Sequence, residues 1–420
     1  MNTRENAKHA LNHETPNRVP LDFGATPVTG MHVSCVAELR RHYGLEQRPV
    51  KIHEPYQMLG WLDADLQEAI GVDFDSVWGR TTIFGFENRD WTPWRTPWGQ
   101  EVLVSAQFRT KEEPNGDVLI HPCGDTSVPP SGRMAAAAFF FDSIMRQPPL
   151  DQTALDPADN LEEFTPLTPD DLAHFARQLD ALSGTRRSVV CMLPGMALGD
   201  IALVPGPFLR RPKGIRDVAE WYMSTVSRTD YIHAVFSGQT EIGLKNLAAL
   251  QPILADKIDV VMTCGTDFGT QTSTFCSPAT FDELYAPYYK KINDWIHTNT
   301  NWRTFKHCCG AIETFMDRFI EAGFDIINPV QCSAAGMEPA LLKKKYGDRL
   351  VFWGGGVDTQ KTLPFGTPEQ VRTEVLQRCE TFATGGGFVF NAIHNVQAKT
   401  PLANIVSMLD AVREFNSAGA

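Results

Sequence analysis

The chain has 420 residues, 43% hydrophobic and 21% charged, an ordinary globular composition large enough for one big core or two domains. Its formal net charge of -12 argues against a nucleic-acid groove or an anionic membrane surface as the main partner. Nine scattered cysteines suggest no disulfide framework, and residues 1–17 have no apolar signal core, so reduced thiols in a cytoplasmic protein are expected.

Residues 4–11 read as a short helix. Arg18 to Gly24 reads as a first strand ending at a carboxylate, Asp22. Residues 33–43 and 62–70 are helical by spacing, and Gly71 to Gly79 is a second strand carrying Asp75. The stretch 85–165 breaks this rhythm. It is rich in Trp and Pro, has a strand at 101–106, and carries an Asn115-Gly116 hairpin signal followed by a return strand at 117–122. It is expected to be an inserted β-containing cap between the barrel's start (1–84) and its remainder (166–420). Its longest apolar run, near Met134 to Phe141, is far below the roughly 18 residues of a membrane span.

The alternation then resumes. Strands are expected at 188–195, 259–268, 301–309, 323–331, 350–358 and 388–391. The helices between them include 217–238, 240–257 with Thr240 as N-cap, and one opened by Ser277-Pro278 that runs to about His297. Eight apolar strands separated by helices fit a parallel sheet buried on both faces, the (β/α)8 barrel pattern. A doubly wound open sheet is the alternative, but no G-x-G-x-x-G follows the first strand.

In such a barrel, functional groups sit at the C-terminal strand ends. Here those ends carry Asp22, Asp75, Asp267, His307, Cys309, Gln331 and Asp358, with Asn391 closing the last strand and His394 beyond it. Residues two apart on a strand share a face, so His307 and Cys309 point together and Cys308 points away. A His and a Cys aimed alike suit a borderline cation such as zinc. His394 is the natural third ligand, leaving a fourth position open. By sequence count His307 and Cys309 lie on the fifth strand and His394 follows the eighth, so the ion would sit over the barrel axis.

On several marks the chain resembles the uroporphyrinogen decarboxylase superfamily, most closely its corrinoid-dependent methyltransferase branch. These marks are Arg18-Val19-Pro20, Gly71-Val72-Asp73, Ser277-Pro278 with Phe281, and His307-Cys308-Cys309-Gly310. The end segment 385–404, with Lys399-Thr400-Pro401 and Asn404, matches too. The resemblance implies a (β/α)8 barrel. In thiol-methylating members it also implies zinc held by an H-x-C pair, here His307 and Cys309, and by a later Cys, where this chain has His394. That exchange makes a zinc centre one charge less negative and a bound thiolate less nucleophilic. The Arg-rich motif that grips porphyrinogen carboxylates is not found after Pro20.

The expected function is a zinc-dependent methyltransferase that moves a methyl group to or from a thiol or other nucleophile. Asp267 and Asp358 would position substrate or take its proton, with Asp22 as a further catalytic acid. Asp75, Gln331 and Asn391 would bind substrate. No D-x-H-x-x-G corrinoid signature occurs, so cobalamin would arrive on a separate corrinoid protein. Partners are otherwise a small-molecule methyl donor or acceptor, and pairing as a homodimer is left open. The alternative is a metal-free decarboxylase or lyase in which Asp22 or Asp75 stabilises developing positive charge. A third reading is a ligand-binding barrel without catalysis, with the Trp-rich segment as its contact surface.

Overall fold

A computed structural model describes residues 2–418. Its centre is a curled sheet of seven parallel strands. In spatial order these are Phe388–Val389, Val351–Trp353, Ile326–Asn328, Arg303–His307, Val260–Cys264, Ser188–Met192 and Phe74–Val77. Each is short and almost wholly buried, as strands covered on both faces must be. Helices such as Thr229–Leu254, Ala286–Asn299 and Pro368–Phe382 separate them along the chain.

The sheet is not a fully closed barrel. The first strand expected at 18–24 is reduced to a bridge between Leu21 and Phe390. Pro20 has no N–H to donate, and beyond Asp22 the chain turns so that Gly24 N–H bonds Thr29 O (2.9 Å). The segment still spans the gap between the edge strands. Asp22 N–H donates to Phe390 O (3.0 Å) and Asp73 N–H to Leu21 O (2.8 Å).

Strand register sorts the side chains into two layers. Met262 pairs with Phe305, Phe305 with Ile326 and Ile326 with Val351, and these four belong to one inward cluster with Phe74, Val190, Val260, Trp353 and Val389. Ala7 and Leu11 of the helix Thr3–Leu11 join that cluster, consistent with a plug at one end. The intervening residues, including Val189, Val261 and Ile327, face the helices in the larger core.

Two further four-stranded sheets lie outside this unit. One joins Thr92–Arg95 and Glu101–Val104 to Val50–Glu54 and Leu59–Gly60, so it draws strands from both sides of residue 85. The other contains the hairpin Thr110–Glu112/Val118–Ile120 around Asn115-Gly116, extended by Gly132–Met134 and Asp142–Ser143. The return strand at 117–122 therefore pairs with 110–112, not with the strand at 101–104.

Two helix boundaries also differ from expectation. The break placed near 238–240 falls instead at Arg228, between Val218–Ser227 and Thr229–Leu254, and Thr240 is mid-helix. Gly238 does not end the helix but admits Leu161, whose Cδ1 would lie 2.5 Å from an added Cβ. The helix opened by Ser277, whose side chain accepts Thr280 N–H as the cap, breaks at Tyr285, two residues before Pro287.

Candidate metal centre

His307 and Asn328 are directly paired across adjacent strands and share the inward face at the mouth. His307 Nδ1 and Asn328 Oδ1 are 2.6 Å apart. Asn328 Nδ2 donates to Trp353 O (2.9 Å), which fixes the amide's orientation and leaves only its oxygen for the ring. The His307 Nδ1 must therefore carry the hydrogen, and the lone pair sits on Nε2. This is the outer-partner arrangement that presets histidine as a metal ligand.

That lone pair faces Cys309, whose Sγ lies 3.5 Å from His307 Nε2. Cys308 points to the other layer, where its sulfur accepts Phe268 N–H. The alternation read from the strand therefore holds into the turn. Gly310 follows at φ +90°, and a Cβ there would meet the Gly269 oxygen at 2.5 Å, so only glycine lets the loop close behind Cys309.

His394 reaches the same place from the far side of the sheet. Past Phe390 the chain runs beside the 356–359 loop. Gly356 N–H donates to Asn391 O (2.9 Å), Ile393 N–H to Val357 O (3.0 Å), and the Thr359 hydroxyl bonds Ile393 O. A positive φ of 70° at His394 then turns the ring over the mouth, 5.2 Å centroid to centroid from His307. One ligand atom from each of His307, Cys309 and His394 lies within 4.8 Å of the others.

These donors fit a zinc ion. Zn–N bonds of about 2.0–2.1 Å and a Zn–S bond of about 2.3 Å in a tetrahedron set N and S roughly 3.6 Å apart, close to the His307–Cys309 spacing. Burial lowers the His307 imidazole to about 4 and, with His307 adjacent, His394 to about 3, so both rings are neutral at physiological pH. Burial, reinforced by Asp267, holds the Cys309 thiol well above its ordinary range, so it would lose its proton only to a cation. His394 differs from His307 in one respect. Its Nδ1 accepts the Asn395 N–H (2.8 Å), which a cation bound through that nitrogen would displace.

Around the trio, Asp267 Oδ1 accepts Cys309 N–H (2.6 Å) and lies 3.8 Å from His307 Nε2. Burial raises its pKa. Gln331 Oε1 accepts Gly310 N–H (2.9 Å), so it holds the Cys309 turn. Asn391 is fully buried and donates to Asp22 O (2.6 Å) and Thr29 O (3.2 Å), while its Oδ1 has no partner among the described residues. Asp22 is also fully buried, accepting from Ala25 N–H (3.0 Å) and Trp353 Nε1–H (2.9 Å), and desolvation raises its pKa to about 6.

Asp267 is the acid beside the three donors; among the described residues no contact ties Asp22, Asp75 or Asp358 to them. Asp75 follows inward-facing Phe74, so it points outward. Its carboxylate accepts from Thr185 Oγ1 (2.6 Å), and lies 3.4 Å from both Gln67 Nε2 and Arg187 Nη1, away from the site. Asp358 spends Oδ1 on its own turn, accepting Gln360 N–H (2.6 Å) and Lys361 N–H (2.9 Å). Of the glycine triplets, 354–356 packs tightly: a Cβ on Gly354 would strike Pro329 O, and one on Gly356 would strike Asn391 O.

Three site residues escaped the reading of the chain. Asn328 is recognisable only once strand register is known. Lys306 had a signal, a lysine inside an apolar strand opposite His307 in parity. It is fully buried, donates to Thr266 O (2.5 Å) and His307 O (2.6 Å), and lies 5.3 Å and 5.5 Å from the Phe268 and Tyr289 ring centroids. Asp200, in the loop after Ser188–Met192, feels the charges of Asp267 and Lys306, and desolvation lifts its pKa to about 6.

The family model for uroporphyrinogen decarboxylase matches residues 145–415, well over half of the chain. The chain belongs to the uroporphyrinogen decarboxylase family. It is a family of enzymes, and the match includes every residue of the candidate centre. The uroporphyrinogen decarboxylase of Pseudoalteromonas translucida is 28% identical over 148 residues, 34% of this chain and 38% of that relative. That of Psychromonas ingrahamii is 33% identical over 89 residues, 20% of this chain and 24% of the relative. These matches thus span well under half of each decarboxylase. Among solved structures, a methyltransferase from Methanosarcina mazei has a similar fold, with TM-score 0.53, 15% identity and 99% coverage of both chains. Among the described residues, no helix is long and apolar enough to cross a membrane.

Proposed function

We propose that this family member is a zinc-dependent methyltransferase, working with a separate corrinoid protein to move a methyl group to or from a thiol or similar nucleophile. The observation that carries the reading is the convergence of His307, Cys309 and His394 within 4.8 Å, from elements far apart in the chain. Bound there, zinc would supply Lewis acidity that keeps a coordinated thiol as thiolate at neutral pH. His307 offers Nε2 because Asn328 holds Nδ1–H. Asp267 fixes the Cys309 backbone and stands beside the group as the proton acceptor for an entering thiol. Lys306 ties the Thr266 and His307 carbonyls together and keeps the two loop origins in register. The 85–165 segment is read as a cap: Phe139 O accepts from His32 Nε2 (3.0 Å) and Phe141 N–H donates to Tyr56 O (2.8 Å), which pins it over the 32–56 region.

The test is metal analysis of tag-free protein, followed by demethylation of methylcobalamin with a thiol acceptor. Stoichiometric zinc and loss of turnover in His307→Ala support the reading; metal-free protein with unimpaired His307→Ala defeats it. The second reading, a metal-free decarboxylase, is favoured by the buried carboxyl of Asp22 and by the activity named for the relatives. Turnover of a carboxylated substrate that survives strong chelation and is lost in Asp22→Asn would establish it.

A further inference from the structure

Asp200 is a carboxylate at the mouth that the function proposed above leaves unused. The Thr266 hydroxyl bonds Ala197 O (2.9 Å) and Leu198 O (3.0 Å), which ties the 197–200 loop to the end of the strand Val260–Cys264. Asp200 then lies against Gly265: its Oδ2 is 2.6 Å from where a Cβ on that residue would be, so any side chain there would evict it. Its Oδ1 accepts Ala202 N–H (3.0 Å). Asp200, Gly265, Asp267, Cys309 and His394 are all partly exposed, whereas the strand residues that lead to them, 260–264 and 304–307, are buried. With Asp267 bonded to Cys309 N–H and beside His307, these five border one opening.

Charge narrows what can enter it. A zinc ion, the Cys309 thiolate and two neutral rings carry one positive charge, which an entering thiolate cancels. Asp200 and Asp267 then set the sign of the field on the rest of the acceptor. The cation that both acids feel is Lys306. Its ammonium is spent on Thr266 O and His307 O and lies over the Phe268, Tyr289 and Phe319 rings in the helix-facing layer, so it is turned away from an acceptor. Tyr222 adds a second signal. Its ring stacks on Phe275 (4.9 Å between centroids), and Phe275 N–H bonds Phe268 O (2.7 Å), the residue after Asp267. The Tyr222 hydroxyl is buried without a partner among the described residues. Burial, reinforced by Asp267 and Asp200, raises its pKa, so it stays a neutral phenol with a free acceptor oxygen.

We propose that Asp200 selects the acceptor as a small thiol that carries an ammonium group, its sulfur going to the zinc position and its N–H donors to Asp200 Oδ2 and the Tyr222 oxygen. The inference rests on the function proposed above and deepens it by naming the class of acceptor.

The test uses the full-length, zinc-replete protein and three thiols with the same two-carbon spacer: 2-aminoethanethiol, 2-mercaptoethanol and 2-mercaptoethanesulfonate. Calorimetric titration should show 2-aminoethanethiol binding about tenfold tighter than the alcohol and about a hundredfold tighter than the sulfonate. Asp200→Asn keeps an oxygen for Ala202 N–H, and should shrink the preference for the aminothiol over the sulfonate by about tenfold or more. Thiol acidity is the same against either protein and cancels from that change. Asp200→Glu restores the charge and should restore most of the preference. A preference unchanged in folded Asp200→Asn, or wild type that binds the sulfonate as tightly as the aminothiol, overturns the inference. Cobalt-substituted protein separates it from the metal reading, because each coordinated thiolate adds near-ultraviolet charge-transfer absorption. A band gained equally with all three thiols refutes the role of Asp200 while sparing the metal centre, whereas no gain with any of them defeats both.

Discussion

The most informative perturbation of the centre is at Asn328, which touches none of the proposed reactants. Asn328→Ala removes the acceptor 2.6 Å from His307 Nδ1 and the donor 2.9 Å from Trp353 O. With Nδ1–H unheld, the ring can rotate or carry its hydrogen on Nε2, the nitrogen needed by a cation. Loss of such an outer partner costs about 10–100-fold in metal affinity, or about 1.4–2.8 kcal/mol. Two buried polar groups also lose partners at about 1–3 kcal/mol each, so a lower Tm is expected as well. Asn328→Asp separates these effects, because a carboxylate still accepts from Nδ1 but cannot donate to Trp353. Competition against a chromophoric chelator should show weakened zinc binding in Asn328→Ala and wild-type or tighter binding in Asn328→Asp, both proteins losing stability. If folded Asn328→Ala binds zinc within twofold of wild type, the tautomer argument is wrong.

Further outcomes follow from the same geometry. Zinc affinity should rise about tenfold per pH unit between roughly pH 6 and 8, because binding releases the Cys309 proton while both imidazoles, at about 4 and 3, are already neutral; a chelator titration across pH showing a flat profile would contradict this. Gly310→Ala should destabilise the fold by about 1–3 kcal/mol and release zinc, since its Cβ meets Gly269 backbone at a φ of +90°; unchanged urea midpoint and metal content would argue otherwise. Asp22 gives a stability profile with a definite sign. Its folded pKa of about 6, raised from 3.8 by burial, means the carboxyl adds no penalty below pH 3.8 and a growing one as pH rises through 6, totalling about 3 kcal/mol. Denaturant titrations should therefore show Asp22→Asn gaining on wild type by about that amount between pH 3.5 and 7.5, whatever the constant offset from its altered hydrogen bonds.

The alternation of strands and helices was readable from apolar runs, and the period of two correctly separated His307 and Cys309 from Cys308. What remained hidden depends on contacts between distant segments. Leu21 lies in an apolar stretch, yet Pro20 and the turn after Asp22 leave it a single bridge. Asp75 was counted among the strand-end acids although it lies inside the strand, as expected at 71–79 and as observed at Phe74–Val77. With Phe74 facing inward, parity sends Asp75 to Arg187. Gly238 looked like a helix break because its neighbour Leu161 is nearly eighty residues earlier. The approach of His394 to His307 required the loop path beside residues 356–359, and Asn328 required the cross-strand register. Local patterns encode the faces of an element; pairings across the sheet decide which residues meet.

The direct test of the metal centre is an X-ray fluorescence scan at the zinc edge on crystals of tag-free protein, with an anomalous difference map. The account predicts one peak at the mouth, about 2.0–2.1 Å from His307 Nε2 and a His394 nitrogen and about 2.3 Å from Cys309 Sγ. A zinc-supplemented crystal with no peak there, or with the metal bound elsewhere, would contradict it.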